Sequence, residues 1–219
     1  MILKTIPLQR EQGFLSPADI HKLWKEIRSE EHDRMVIAID GAPGTGKSIL
    51  SQTLRAWIEK QGIATGIVET DLDCLPWSER PEGSGLMDWH SATLTREVLA
   101  YPGARFSYTG YDTVSHKRDR TVKVHIPKTG ITIVEGLHSI EYACEFAQGP
   151  IIAMPFEISN ELREQRRAER NIRQGRWKPE QVESRTKAQR GPAIDFYADL
   201  TKELQQTSTR FKNSIRAFK

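Results

Sequence analysis

Residues 35–48, Met-Val-Ile-Ala-Ile-Asp-Gly-Ala-Pro-Gly-Thr-Gly-Lys-Ser, decide the fold of this chain. Residues 36–39 form a short apolar run rich in β-branched side chains, which predicts a buried strand. Residues 41–48 follow at once with the spacing Gly-x-x-x-x-Gly-Lys-Ser, and a helical pattern begins directly after them. A strand, a glycine-rich loop and a helix in this order are the context of a phosphate-binding P-loop.

The chemistry of this loop follows from its residue types. Its glycines let the backbone wrap closely, so that successive N–H groups point at phosphate oxygens. The helix N-terminus adds the positive end of its dipole. The Lys47 ammonium suits the β- and γ-phosphates, and the Ser48 hydroxyl suits Mg²⁺. We therefore expect nucleotide binding by nine consecutive residues: Gly41, Ala42, Pro43, Gly44, Thr45, Gly46, Lys47, Ser48 and Ile49.

Length and composition predict one domain of an ordinary globular protein. The chain has 219 residues, 28% of them charged, and a net charge of +3, which indicates no particular partner by itself. Its two cysteines, Cys74 and Cys144, supply neither a disulfide framework nor a metal set, so a reducing compartment is expected. The pattern predicts no secretory leader and no membrane span. We expect a cytoplasmic protein without a membrane partner.

Acidic residues follow two of the predicted strands. Residues 63–69 are predicted to form the second strand, and Asp71 and Asp73 come directly after it. Residues 131–134 predict a later buried strand that ends at Glu135, the Walker B location. Ligands bind at the carboxyl ends of parallel strands. One acid of the first pair is therefore expected to accept a proton from an attacking hydroxyl and the other to hold Mg²⁺ through water, while Glu135 reaches the metal or orients a reacting group.

The remaining apolar patterns complete an α/β protein. Further predicted elements are a helix that starts at Ser16-Pro17, a helix near 91–100, an edge or hairpin strand at 121–126, and a strand at 151–156. Pro155 predicts that this last strand lies at a sheet edge or that the proline sits near the strand end. The predicted fold class is α/β, a P-loop NTPase three-layer sandwich with a mostly parallel sheet.

A basic stripe begins after residue 159. Residues 161–190 hold ten basic and five acidic side chains, so the positive charge is local. The arginines at 163, 166, 167, 170 and 173 recur at helical spacing on one face. Three interpretations are open: a lid that closes over a triphosphate, a surface that grips nucleic-acid phosphates, and a solvated face paired with glutamates. A P-loop in the same chain favours the lid.

Several motifs in order resemble one family, the uridine kinase and phosphoribulokinase group of P-loop kinases, which also includes bacterial pantothenate kinase. The resemblance covers residues 35–192. Besides the P-loop, the matching motifs are Asp71, Asp88-Trp-His-x-Ala92, Tyr111-Asp-Thr-Val-Ser-His116-Lys-Arg118, Ile133-Val134-Glu135-Gly136 and Arg166-Arg167-x-x-Arg170-Asn-Ile-x-x-Gly175-Arg176. The chain departs from uridine kinases at Asp73, where they usually carry an aromatic residue, and it lacks an apolar final strand after residue 192.

The resemblance implies a small-molecule kinase that uses ATP and Mg²⁺. It implies a single P-loop kinase domain over residues 1–219, with an N-terminal helical extension at 1–34 and a helical arginine-rich lid at 159–190. The implied catalytic residues are Asp71 as the base, with Lys47, Arg167 and Arg170. The implied metal residues are Ser48 and Glu135, Arg176 joins the nucleotide site, and the implied acceptor residues are Asp73, Asp88, Tyr111, His116 and Arg118.

The acceptor and two rival functions stay open on the sequence. The acceptor is a hydroxyl of a nucleoside-, sugar- or pantothenate-like molecule, and the choice between Asp71 and Asp73 as base is undecided. One rival is a P-loop hydrolase or regulator without a small acceptor. The other is a nucleic-acid-binding ATPase, which is disfavoured because the basic stripe has few aromatic residues for base stacking. A homo-oligomer is left open.

Overall fold

The computed structural model describes residues 3–6, 8–9, 17–29, 33–79, 93–112, 114–173, 175, 178 and 180. Eight strands are found in this part of the chain: β1 (Leu3–Thr5), β2 (Leu8–Gln9), β3 (Arg34–Asp40), β4 (Thr65–Glu69), β5 (Arg105–Tyr111), β6 (Arg118–His125), β7 (Gly130–Gly136) and β8 (Ile151–Glu157). The helices are α1 (Pro17–Ser29), α2 (Lys47–Lys60), α3 (Thr93–Ala100), α4 (Ser139–Phe146) and α5 (Asn160–Arg173). Short 3₁₀ turns cover Thr70–Asp73 and Trp77–Glu79.

A parallel sheet organises the first part of the chain. Its strand order is β1-β8-β3-β7-β4, with β2 also paired to β8, and every one of these pairs is parallel. The P-loop strand β3 lies in the middle because its apolar side chains are buried on both sides of the sheet. The register places Glu135 opposite Ile39 on one neighbour and opposite Glu69 on the other. The acids at the carboxyl ends of β4 and β7 therefore lie side by side.

Helices cover both faces of this sheet, which gives three layers. One face packs against α1 and α2 through a cluster that includes Leu23, Leu54 and Ile58. The other face packs against α3 and α4 through a cluster that includes Leu99 and Ala143. These findings confirm the predicted α/β sandwich with a mostly parallel sheet.

A separate β-hairpin extends beyond the sheet. Strands β5 and β6 pair antiparallel, and their apolar face joins a third cluster with Val68, Leu72 and Val98. The predicted strand at 121–126 is thus part of this hairpin. Its partner β5 was not predicted, although Phe106 and Tyr108 alternate with polar residues over 105–109, because this alternating run is short and lies within a polar, aromatic segment.

Two features of the sheet differ from the sequence predictions. Strand β8 lies between β1 and β3, so the prediction of an edge position is wrong. The alternative prediction for Pro155 is confirmed, since the proline is the third residue from the end of β8. The short strands β1 and β2 were not predicted. They lie in the segment for which only a helical extension was expected, and they cover the outer edge of β8.

The chain divides into two compact units, Met1–Ile158 and Ser159–Lys219. The first unit contains both described sheets and the three apolar clusters. The second contains α5, whose arginine stripe forms a helix as the spacing predicted. No helix in the described ranges is long and apolar enough to cross a membrane.

Candidate active site

The glycine-rich loop between β3 and α2 has the backbone that its sequence predicts. Gly44 and Gly46 have φ angles of 91° and 100°, in the left-handed region that glycine adopts without strain. A side chain at Gly41 would overlap the carbonyl oxygen of Phe156, so the loop starts in close contact with β8. Thr45 closes the turn by donating from its N–H and its hydroxyl to the Ala42 carbonyl oxygen, at 3.3 and 3.0 Å.

Lys47 is the first residue of α2 and is buried. Its ammonium donates to the carbonyl oxygens of Gly41 and Ala42, at 2.6 and 3.1 Å. These bonds hold the charge over the inside of the loop. A buried ammonium next to inward-facing backbone N–H groups is an arrangement that binds phosphate oxygens.

Glu135 lies at the carboxyl end of β7 and is almost completely buried. Burial and the neighbouring Asp71 carboxylate raise its pKa to about 7, against the opposing effects of Lys47 and of a hydrogen bond with Ser48. Two carboxyl groups that share a site repel each other when both are ionised. A divalent cation would relieve this repulsion.

The donor set at this place fits Mg²⁺. It consists of the Ser48 hydroxyl and two carboxylates, all of them oxygen donors, and Mg²⁺ prefers oxygen ligands from one or two protein carboxylates with the rest from water and phosphate. Among the described residues there is no cluster of three or more His, Cys, Asp and Glu side chains that would make a complete protein cage. The residues therefore suit a cation that binds together with a nucleotide.

The two acids after β4 have different surroundings. Asp71 faces the end of β7, since a Cβ built at Gly136 would come 3.1 Å from its Oδ1. This Oδ1 is buried and has no hydrogen-bond partner among the described residues. Thr70 fixes the turn by donating its hydroxyl to the carbonyl oxygens of Glu135 and Leu137, at 3.3 and 2.8 Å.

Asp73, in contrast, is completely buried and held by three hydrogen bonds. Its Oδ2 accepts from the backbone N–H and the hydroxyl of Thr95, at 3.2 and 2.8 Å, and its Oδ1 accepts from the Tyr108 hydroxyl at 2.8 Å. These contacts favour Asp71 over Asp73 as the group that faces a substrate. They also favour a structural role for Asp73 in place of the acceptor-binding role expected from the sequence.

Three predicted acceptor residues lie at the turn end of the hairpin. The Tyr111 hydroxyl is hydrogen-bonded to Nδ1 of His116 at 2.8 Å, and the register places Tyr111 opposite Arg118. His116 has a φ of 59° in the turn between the strands, where its N–H donates to the Asp112 carbonyl oxygen. The structure thus brings these three side chains together on one end of one hairpin.

The other predicted site residues lie elsewhere or outside the described part of the chain. Asp88 and Arg176 are not among the described residues. Arg167 and Arg170 lie on α5 in the second unit. The Arg167 guanidinium donates to both carboxylate oxygens of Glu164, at 3.1 and 3.3 Å, so part of the stripe is paired with glutamates of its own helix.

Two further acidic residues at strand ends were given no role by the sequence analysis, although Glu69 was recognised as an acid at the end of the second strand. Asp40 ends β3 and is buried, and its Oδ2 accepts from the N–H of Ile140 at 3.2 Å. Burial raises its pKa, opposed by the nearby Lys47 and His138. Glu69 ends β4 and pairs with Arg120. The signal that identified Glu135, an acid at the end of a buried strand, is also present at both positions.

Comparison with solved structures identifies the fold. The chain superimposes on a protein from Silicibacter sp. TM1040 described as a proposed fructose transport system kinase, with a TM-score of 0.55, 21% identity and coverage of 80% of this chain and 89% of that one. It also resembles a possible uridine kinase from Bacillus stearothermophilus, with a TM-score of 0.50, 19% identity and coverage of 66% and 82%. No protein-family model and no curated protein sequence matches the chain. The chain shares the fold of these two proteins, an α/β sandwich with a mostly parallel sheet, as the sequence predicted.

Proposed function

We propose that this protein is a small-molecule kinase that transfers the γ-phosphoryl group of ATP to a hydroxyl of a nucleoside-, sugar- or pantothenate-like acceptor. The observation that carries the proposal is the position of Asp71. Its Oδ1 is buried, has no hydrogen-bond partner within the described ranges, and faces the end of β7 next to Glu135, whose neighbour Ser48 belongs to the P-loop. A hydrolase needs only a water-positioning group, whereas a kinase also needs a base for its acceptor.

The proposed reaction uses each group for one task. The acceptor oxygen forms a bond to the γ-phosphorus while the bond from phosphorus to the β–γ bridging oxygen breaks, and ADP leaves with that electron pair. The hydroxyl proton passes to the Asp71 carboxylate. Backbone N–H groups of the loop and the Lys47 ammonium bind the phosphates in a fixed position. Mg²⁺, held by Ser48 and Glu135, would supply charge neutralisation on the phosphate oxygens.

The remaining candidates have supporting roles in the proposal. Tyr111, His116 and Arg118 position the acceptor, since they form one polar group at the end of the hairpin. Arg167, Arg170 and Arg176 bind phosphate charge during transfer. Guanidinium groups are suited to this task because their fork geometry matches phosphate oxygens.

The acceptor is found by measuring ADP release from ATP and Mg²⁺ across nucleosides, sugars, pantothenate-like alcohols and amino-acid alcohols. We expect release to depend on one class of alcohol, with a phosphorylated product detected by mass spectrometry. ADP release that no acceptor increases would instead support a hydrolase.

The Asp71→Asn variant tests the base. We expect it to bind ATP with nearly the wild-type dissociation constant, because the P-loop is unchanged, and to lose turnover by a factor of roughly a hundred or more. Ser78→Ala, an exposed change in the same unit, is the control for handling and folding. Near-normal turnover in Asp71→Asn would remove the base assignment.

A further inference from the structure

The hairpin formed by β5 and β6 holds the acidic turn after β4 at both of its ends. At one end the Arg120 guanidinium donates to both carboxylate oxygens of Glu69, at 2.7 and 3.1 Å. At the other end the Tyr108 hydroxyl donates to Oδ1 of Asp73 at 2.8 Å. Arg120 lies on β6 and Tyr108 lies on β5, so each strand of the hairpin contributes one of these contacts.

The contact of Arg120 with Glu69 and the contact of Tyr108 with Asp73 differ in their exposure to solvent. The pair of Arg120 and Glu69 is bidentate and partly exposed, so its geometry is specific although solvent screens its charge. Asp73 is fully buried and accepts two further hydrogen bonds from Thr95, which ties α3 to the same carboxylate. A buried carboxylate with this many donors holds its surroundings in one arrangement, because breaking any bond leaves charge unpaired in a dry site.

Backbone packing between these two ends leaves no room for sliding. A Cβ built at Gly110 would come 2.5 Å from the carbonyl oxygen of Leu72 and 2.8 Å from its Cβ. Leu72 is itself buried in the cluster that contains Val124 and the ring of Tyr108. Backbone packing as well as side-chain contacts therefore holds the hairpin against the turn.

Asp71 lies in the middle of the turn that is held in this way. Its flanking acids are engaged by the hairpin, and its own Oδ1 has no partner in the described part of the chain. The same hairpin carries Tyr111, His116 and Arg118 at its turn end. Its anchors thus fix the distance between the acid and the groups that are to receive the acceptor.

We propose that Tyr108 and Arg120 are positioning residues, which act through Asp73 and Glu69 to hold Asp71 at a fixed place relative to the acceptor-binding end of the hairpin. This proposal rests on the proposed kinase function for its catalytic consequence. It assigns Asp73 and Glu69 as anchors and leaves Asp71 as the acid that meets the substrate.

The kinetic test uses Tyr108→Phe, which removes one hydroxyl, and Arg120→Lys, which keeps the charge but loses the bidentate geometry. We expect each to lower kcat by about tenfold or more, because small displacements of a reacting group are costly. The dissociation constant for ATP should stay within about twofold and the KM for the acceptor within about threefold, since both residues make their hydrogen bonds to the acidic turn. Wild-type kcat in both variants would overturn the proposal.

Two matched controls make the same chemical changes at exposed positions away from the acidic turn. Tyr101→Phe alters a tyrosine that is 64% exposed, and Arg105→Lys alters an exposed arginine on the same hairpin. Both should keep wild-type kcat. A loss in the controls equal to that in the test variants would overturn the proposal, because the effect would then be general.

Hydrogen–deuterium exchange tests the link between the hairpin and the acidic turn without any turnover measurement. In Tyr108→Phe and Arg120→Lys, we expect faster exchange both in residues 69–74 and in the hairpin, with no change in the P-loop peptide. Faster exchange in the hairpin alone would overturn the proposal, since the turn would then be held independently. If no acceptor supports turnover in the wild-type protein, the proposed function fails, while coupled exchange still supports the mechanical link.

Discussion

The burial of Glu135 has a consequence for stability that is separate from catalysis. The folded protein holds this carboxyl at a pKa of about 7, because the ionised form is desolvated and faces Asp71. In the unfolded chain the group returns to a value near 4.5. Folding therefore favours the protonated form, and the stability that this contributes is complete below pH 4.5 and is lost as the pH rises to 7.

Replacement of the Glu135 carboxyl by the uncharged amide of glutamine should remove this pH dependence of the stability. With a chelator present, we expect Glu135→Gln to be more stable than the wild type at pH 8 by at most about 3 kcal/mol, with the difference vanishing near pH 4. Urea unfolding at a series of pH values measures it. Glu145→Gln changes an exposed carboxylate and is the control. A stability difference that grows as the pH falls would contradict the assigned environment.

At the scale of single residues, the sequence predicted part of the candidate site. The P-loop residues and Glu135 stand out as candidates because their signals are local: a fixed spacing and an acid at the end of an apolar run. Asp71 and Asp73 could not be told apart, since both are acids in the same turn. Their difference arises from Thr95 and Tyr108, which are 22 and 35 residues away from Asp73 in the chain.

At the scale of elements, the position of β7 depends on a close backbone approach. Gly130 begins the strand with a φ of 119°, and a side chain there would overlap the carbonyl oxygen of Ala64, just before β4. Its N–H donates to the carbonyl oxygen of Asp33, next to β3. This residue therefore sets the start of β7 between its two neighbours, and hence where Glu135 lies at the other end.

Two alanine substitutions separate backbone strain from overlap. Gly62 follows α2 with a φ of 80° and nothing within 4 Å of a built Cβ. We expect Gly62→Ala to cost roughly 1 kcal/mol, the penalty of a left-handed conformation. Gly130→Ala should cost a further 1–3 kcal/mol, roughly, because the strands must also move apart. Denaturant unfolding measures both, and equal losses would show that the overlap is relieved at no cost.

Elements with a strong internal pattern were predicted and the others were not. The strands β3, β4, β7 and β8 are apolar runs bounded by polar residues, and α1 and α2 have clear helical stripes. Strand β1 has only three residues, and its pairing with β8 depends on a partner almost 150 residues away, as the register of Leu3 with Ile151 shows. The role of β5 likewise depends on β6 and on the acidic turn, contacts that no local pattern reveals.

At the scale of the whole molecule, the apolar clusters found among the described residues lie in the first unit. Their members run from Ile6 to Ile158. The rings of Trp24 and Trp57 pack against one of these clusters and against each other in a T-shaped arrangement, with ring centres 5.2 Å apart. The helix α5 in the second unit has mostly charged and polar side chains, with Arg163 and Arg167 paired to Glu164. Since burial of apolar surface supplies most of the folding free energy, we expect the first unit, with its three apolar clusters, to fold without the second.

A chain that ends at Ile158 tests this division and the role of the arginine stripe together. We expect it to unfold cooperatively in urea, because the sheet, its covering helices and the hairpin are all retained. The shortened chain should bind ATP through the intact P-loop. It should transfer phosphate roughly tenfold more slowly or worse, because it lacks the guanidinium groups that stabilise the transferring phosphoryl group.

The full-length double variant Arg167→Ala, Arg170→Ala should show the same loss of turnover with unchanged unfolding. A shortened chain that fails to unfold cooperatively would contradict the autonomy of the first unit, and full turnover in the double variant would exclude these two arginines from phosphate transfer.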